Sequence, residues 1–245
     1  GMTFCIPCNA HIAPLRVEAV QCIRWSTPEA GIVVLDDERA PCPQTVKEVL
    51  RPLSVGWKLL KETHTSSDHA VSILSLMAQS IRHPEDVLVR TKPDNLVLCA
   101  DFLRNFGRSG SGLCGTCLRS GLLSNELYAL KPTVLQAILQ HLEQSSSTMK
   151  CPEGAVVLGA FTALFPDGAP LLAKAWTRGS GGPLRGHYNW MTFPSAESLA
   201  DMDVVSMSRR YRDKVARSAR ISVMRCLRRT LGVPRTSDNS EAAAE

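Results

Sequence analysis

Pro43-Gln44-Thr45-Val46-Lys47-Glu48-Val49-Leu50-Arg51-Pro52-Leu53 is the stretch in which the apolar period of the chain becomes helical. Val46, Val49, Leu50 and Leu53 fall at i, i+3, i+4 and i+7 and share one face of a helix. Pro52 removes a donor and kinks or ends that helix, and residues 55–61 are expected to resume it. Working toward the carboxyl end, the same period recurs. Ser66, Ser67 or Asp68 can cap a helix reaching residue 81, with Val71, Leu74, Met77 and Ala78 inward and Pro84 as its stop. Asp94 can cap another, with Val97, Leu98, Phe102 and Phe106 as its stripe. Ser124 is expected to open a short helix. Pro132 suits the first helical position of the next, where Val134, Leu135, Ile138, Leu139 and Leu142 face in. Pro152 opens one that is apolar nearly all round over 155–165, as expected of a helix at the centre of a domain. Residues 170–176 read as a short amphipathic helix after a Pro166-Asp167-Gly168 turn, and 107–116, with four glycines, as a loop.

Working toward the amino end, residues 15–25 alternate imperfectly, with Leu15, Val17 and Ala19 on one face. Gly31-Ile32-Val33-Val34-Leu35 is a β-branched run ended by Asp36-Asp37. The two segments can pair as an antiparallel hairpin around Ser26-Thr27-Pro28. The expected fold is therefore mainly α: a single helical domain over 43–232, with a small N-terminal β-containing appendage over 1–42 and a disordered tail over 233–245. There is no internal repeat and no sustained heptad.

A chain of 245 residues can bury a sizeable core, and with 44% hydrophobic but only 5% aromatic residues that core must be aliphatic. Gly1 before Met2 reads as a remnant of tag cleavage and is set aside. No apolar run approaches the ~20 residues that span a bilayer. The start lacks the charged and apolar regions of a secretory signal. Nine cysteines, an odd number, cannot all pair within the chain. Together these features favour thiols in a reducing compartment, cytoplasmic or nuclear, and not a secreted protein.

The net charge of +5 is unevenly spread. Residues 1–100 hold ten Lys or Arg against eleven Asp or Glu, whereas 204–235 hold ten basic residues against Asp213 alone. A helix over 203–231, closed by Gly232 and Pro234, would turn Val204, Met207, Tyr211, Val215, Ala219, Val223, Leu227 and Leu231 inward. Arg209, Arg210, Arg212, Arg217, Arg220, Arg228 and Arg229 would be presented for bidentate contact with phosphates. The loop over 178–194 adds Arg178 and Arg185 with Tyr188 and Trp190, residue types that stack on unpaired bases. The reading that follows is a non-enzymatic, nucleocapsid-like structural protein binding nucleic acid, RNA in preference, with self-association in keeping with that role. The alternative is a matrix or adaptor protein whose Arg face meets an anionic membrane surface or an acidic protein.

Metal and catalytic motifs are sparse. Cys5, Cys8, His11 and Cys22 form a C-x2-C-x2-H-x10-C pattern, a Cys3His set for zinc, although incidental thiols are the preferred reading and no cofactor is otherwise expected. A second C-x2-C stands at Cys114 and Cys117. Asp36-Asp37-Glu38 could hold a hard cation, but a turn at a strand end is the commoner meaning. Gly110 to Gly115 matches G-x-G-x-x-G, yet a helix rather than a strand is expected before it, so a dinucleotide site is not. His11, His64, His69, His83, His141 and His187 are scattered, and those at 64 and 69 flank a helix cap, where a polar surface role is the default.

Overall fold

The computed structural model describes residues 1–8, 19–21, 23–24, 27–63, 65–92, 95–117, 121–145, 152–174 and 205–208. Its centre is a sheet, not a helical bundle. In chain order the elements are β1 (Met2–Cys8), β2 (Gly31–Asp37), α1 (Gln44–Leu50) with a single 3-10 turn (Arg51–Leu53), β3 (Gly56–Leu60), α2 (Ser66–Ala78) and β4 (Val87–Thr91). Then come β5 (Asn95–Cys99), α3 (Asp101–Arg108), β6 (Leu113–Cys117), β7 (Leu123–Leu130), α4 (Pro132–Gln144), α5 (Glu153–Leu164), β8 (Leu171–Lys174) and β9 (Val205–Ser208).

Seven strands form one sheet in the order β3-β2-β1-β4-β7-β6-β8, and β5 pairs with β9 in a second. β3, β2, β1 and β4 are parallel. β7 is antiparallel to both β4 and β6, and β8 runs parallel to β6. The expected hairpin appendage is thus corrected: β1 and β2 are adjacent parallel strands in the middle of the sheet, and the described part of 19–24 is helical.

The chain is wound twice. From β1 to β3 it steps one way, and the helices it lays down there, through Val20, Ile23, Val46 and Leu50, cover one face together with Phe102, Leu103 and Phe106 of α3. From β3 it returns across two strands to β4. Because such crossovers keep one hand, the return helix α2 must lie on the other face. Ile73, Leu74 and Met77 of α2 pack there with Leu135 and Ile138 of α4 and Val157 and Phe161 of α5. Strands covered on both faces read as continuous apolar runs. β1 divides its side chains by strict alternation, with Phe4, Ile6 and Cys8 to the first face and Cys5 to the second. Each large aliphatic or aromatic side chain buried this way contributes about 1.5–3 kcal/mol.

Three expected helices start where proline marks them: α1 after Pro43, α4 with Pro132 at its first position, and α5 after Pro152. α2 is capped by Thr65, whose hydroxyl accepts from the Asp68 amide at 3.0 Å. Of the remaining expected helices, the one placed at Asp94 is helical only over 101–108, as α3, and the others are overturned. Residues 56–60, 95–99, 123–130 and 171–174 are strands, 113–117 is a strand where 107–116 was expected to be a loop, and the helix expected to begin at Asp203 contains strand β9 at 205–208.

Candidate active site at the carboxyl edge of the sheet

In an open α/β sheet, neighbouring strands whose onward connections diverge leave a crevice at their carboxyl ends. Here that switch point lies between β1, which leads toward β2, and β4, which leads away toward β7. Cys8 ends β1, Asp36 and Asp37 end β2, and Thr91 ends β4, with Lys92 following. The antiparallel β7 begins at the same edge, so Ser124 and Asn125 also lie there, and the first turn of α5 docks against them.

Four elements meet in a buried polar cluster on the α2/α4/α5 side. Arg90, on the same face of β4 as Leu88, donates from Nη2 to Glu153 Oε2 at 2.8 Å, and the two side chains are 5% and 4% exposed. Its Nη1 donates to the Asn125 carbonyl. The hydroxyl of Tyr128, fully buried on β7, donates to Glu153 Oε1 at 2.7 Å. Burial first, and then the charge of Glu153, pushes the Tyr128 phenol well above its ordinary range. The guanidinium also lies over the Tyr128 ring, 6.0 Å from its centre. A buried carboxylate is tolerated only when paired and hydrogen-bonded, and Glu153 has both kinds of partner.

His69, in the first turn of α2, is the solvent-facing member. Its side chain is 40% exposed, with Nε2 4.0 Å from Glu153 Oε2. Nδ1 is 3.5 Å from the Thr63 hydroxyl. Burial pushes its imidazole below the ordinary histidine range, with Glu153 opposing the shift, Arg90 reinforcing it, and Asp37 and Arg39 contributing from the β2 end. The groups acting on His69 thus come from β2, β4 and α5, on both sides of β1.

On the other face, the Thr91 hydroxyl is fully buried and has no hydrogen-bond partner among the described residues. Asp36 and Asp37, for which a strand-end turn was the preferred reading over a cation site, are engaged within the protein. Asp36 accepts from the Cys42 amide at 2.7 Å and pairs with Lys47 at 2.8 Å, while Asp37 accepts from the Arg39 amide at 3.0 Å.

Cys5 and Cys8 lie on opposite faces of β1, as their odd spacing in a strand requires, and cannot share one ion. Burial pushes the Cys5 thiol up to about 12, the opposite of what a thiolate ligand needs. Among the described residues no group of three His, Cys, Asp or Glu could hold a metal ion, so no chemical step is assigned to one here. His11 and Cys22 lie outside the described residues, as do Arg178, Arg185, Tyr188, Trp190, Arg209, Arg210, Arg212, Arg217, Arg220, Arg228 and Arg229. Arg90, Glu153, Tyr128 and His69 were not singled out by sequence as one site. The available signal was a lone Arg inside an apolar strand run and a lone Glu opening an apolar helix.

No protein-family model matches the sequence, and neither does any curated protein. Solved structures do match in shape. The galactosyltransferase LgtC in complex with donor and acceptor sugar analogues superposes with a TM-score of 0.51 at 13% identity, over 97% of this chain and 98% of that one. An active-site mutant of LgtC gives 0.53 at 12% identity, over 96% and 98%. A mannosyltransferase from Pyrobaculum calidifontis, in complex with GDP-Man and Mn2+, gives 0.49 at 15% identity, over 73% of this chain and 58% of that one. The chain therefore has the α/β fold on which the LgtC structures are built.

That finding corrects the functional expectations along with the mainly α fold. The non-enzymatic, nucleocapsid-like RNA binder and its membrane or adaptor alternative both presupposed a helical body ending in an Arg-bearing helix from residue 203. The body is instead an α/β sheet of the shape seen in the LgtC structures, and residues 205–208 of that expected helix are a strand. Nucleic acid has no further support as the partner. Among the described residues no helix is long and apolar enough to cross a membrane.

Proposed function

We propose that this protein is a glycosyltransferase that takes a sugar from a nucleoside diphosphate donor and passes it to an acceptor hydroxyl. The observation that carries the reading is the coincidence of two features. The fold likeness to LgtC extends over nearly the whole chain, and the crevice that the topology leaves at the ends of β1 and β4 is bordered by the one buried ionic cluster described above. An open sheet of this order leaves a ligand crevice at its carboxyl edge, which supports donor binding there. Lys92 at the end of β4 puts positive charge beside the place where the diphosphate would lie.

The division of labour follows from burial. Arg90, Glu153 and Tyr128 are too enclosed to touch substrate and hold the β4, β7 and α5 ends in register. Lys92 and His69, which keep access to solvent, border the opening. The test is direct binding of UDP, GDP and CDP to the full chain by calorimetry, followed by nucleotide release from the matching sugar donors. Binding of one of these with release of its diphosphate supports the reading. No binding and no release with any donor overturns it.

A further inference from the structure

We propose that His69 is the general base of this transfer, accepting the proton of the acceptor hydroxyl on Nδ1 while Glu153 faces Nε2. The inference rests on the sugar-transfer reading above and assigns its proton.

Attack by a hydroxyl on an anomeric carbon is assisted when a nearby base takes the proton. Such a base needs a neutral lone pair, exposure to the substrate and a second group to fix its orientation. Glu153 fails on exposure, because its oxygens are taken by Arg90 and Tyr128. His69 is the half-exposed member of the cluster, and what orients its ring is the Glu153 charge 4.0 Å from Nε2, acting through space and not by a hydrogen bond. A carboxylate facing Nε2 favours the tautomer with its proton there, leaving the lone pair on Nδ1. The Thr63 hydroxyl, 3.5 Å from Nδ1, is too distant for a strong hydrogen bond, so a substrate hydroxyl can take that place. The backbone beneath is fixed, since the His69 amide donates to the Thr65 carbonyl at 3.0 Å in the capped first turn of α2.

The groups facing the imidazole are Glu153 from α5, Arg90 from β4, and Asp37 and Arg39 from the end of β2, two acids and two guanidiniums. With those charges balanced, burial dominates and the ring is neutral at pH 7, as a base must be. In the step, the acceptor oxygen bonds to the anomeric carbon as the bond from that carbon to the β-phosphate oxygen breaks. The electron pair leaves on the nucleoside diphosphate, and the hydroxyl proton moves to Nδ1. The resulting imidazolium is stabilised by Glu153, and nothing is oxidised or reduced.

The experiment measures nucleotide release from UDP-galactose, UDP-glucose and GDP-mannose, with water as the acceptor, between pH 5 and 9. The full chain is compared with His69→Gln and His69→Ala, and binding of UDP and GDP alone is measured in parallel. The expected result is a kcat lower by about 10²- to 10⁴-fold in both variants, with donor KM and nucleotide binding unchanged. The acidic limb of the kcat profile should disappear in His69→Gln, and added imidazole should partly restore His69→Ala. A His69→Gln enzyme that keeps its kcat and acidic limb overturns the base while leaving the glycosyltransferase reading intact. A wild-type chain that neither binds a nucleotide nor cleaves any donor overturns both.

Discussion

The Gly154 amide donates to the Asn125 side-chain oxygen at 2.6 Å, and that bond fixes where α5 begins. The approach is close enough that a Cβ on Gly154 would run into the Leu123 carbonyl, which is backbone and cannot swing aside. In an ordinary helix Gly→Ala is stabilising by roughly 0.5–1 kcal/mol. Here the sign should reverse. Gly154→Ala is expected to destabilise the fold by about 1–3 kcal/mol through overpacking, read as a lower urea midpoint with an unchanged m-value. A variant as stable as the wild type would show that α5 is not seated against β7 in this way.

The Arg90–Glu153 pair joins residues 63 positions apart and has almost no access to water. Removing one member leaves the other charged and enclosed. Arg90→Met or Glu153→Leu alone should therefore cost about 3–5 kcal/mol. Tyr128→Phe, which withdraws one donor from Glu153, should cost about 1–3 kcal/mol. The double variant Arg90→Met/Glu153→Leu should be much less destabilised than the two single losses added together, because no uncompensated charge remains. Chemical denaturation of the four proteins gives the cycle directly. Strict additivity would mean that the two residues do not interact.

The starts of α1, α4 and α5 were legible because proline leaves a physical mark there: its fixed φ and absent N–H suit a first turn and little else. The strands were less so. β4 reads Val-Leu-Val-Arg-Thr and is buried along its whole length, so it shows none of the alternation that distinguishes a half-exposed strand from a helix segment. β7 has Ser, Asn and Glu directly after its first residue, and these suit a helix start as well as a strand. Gly115 counted toward a loop, yet it lies within β6, where a Cβ would meet the Leu127 carbonyl and Tyr128. The site was hidden for a related reason. Arg90, Glu153 and His69 come together only through the return crossover of α2 and the docking of α5 on β7. Local spacing carries no trace of either, although a lone charge in each of two apolar runs does call for a partner. The Arg-dense segment 209–229 lies outside the described residues.

Stability should depend on pH at both ends of the neutral range, for opposite reasons. Burial holds the His69 imidazole below its ordinary 6.5 despite the pull of Glu153. The unfolded chain therefore binds that proton more readily. Stability from this group is fully present above about pH 6.5 and is lost as the pH falls through the folded-state value. Asp86 does not blur that limb. Burial alone would raise its carboxyl, but bonds from the chain amino group and from the His83 and Arg82 amides hold it below 3.8, so its contribution is lost only at lower pH. At the alkaline end, burial and then the charge of Glu153 raise the Tyr128 phenol well above 10, so the unfolded chain gives up a proton that the folded one keeps. Stability should then fall as the pH climbs past about 10. Unfolding free energies measured from pH 4.5 to 11 should show a plateau between the two limbs. His69→Gln should flatten the acidic limb without touching the alkaline one. Tyr128→Phe should shrink the alkaline limb without touching the acidic one, leaving the part due to the Cys5 and Cys114 thiols, which burial also raises. An acidic limb that survives in His69→Gln would place the responsible group elsewhere and show that His69 is not held neutral by its surroundings.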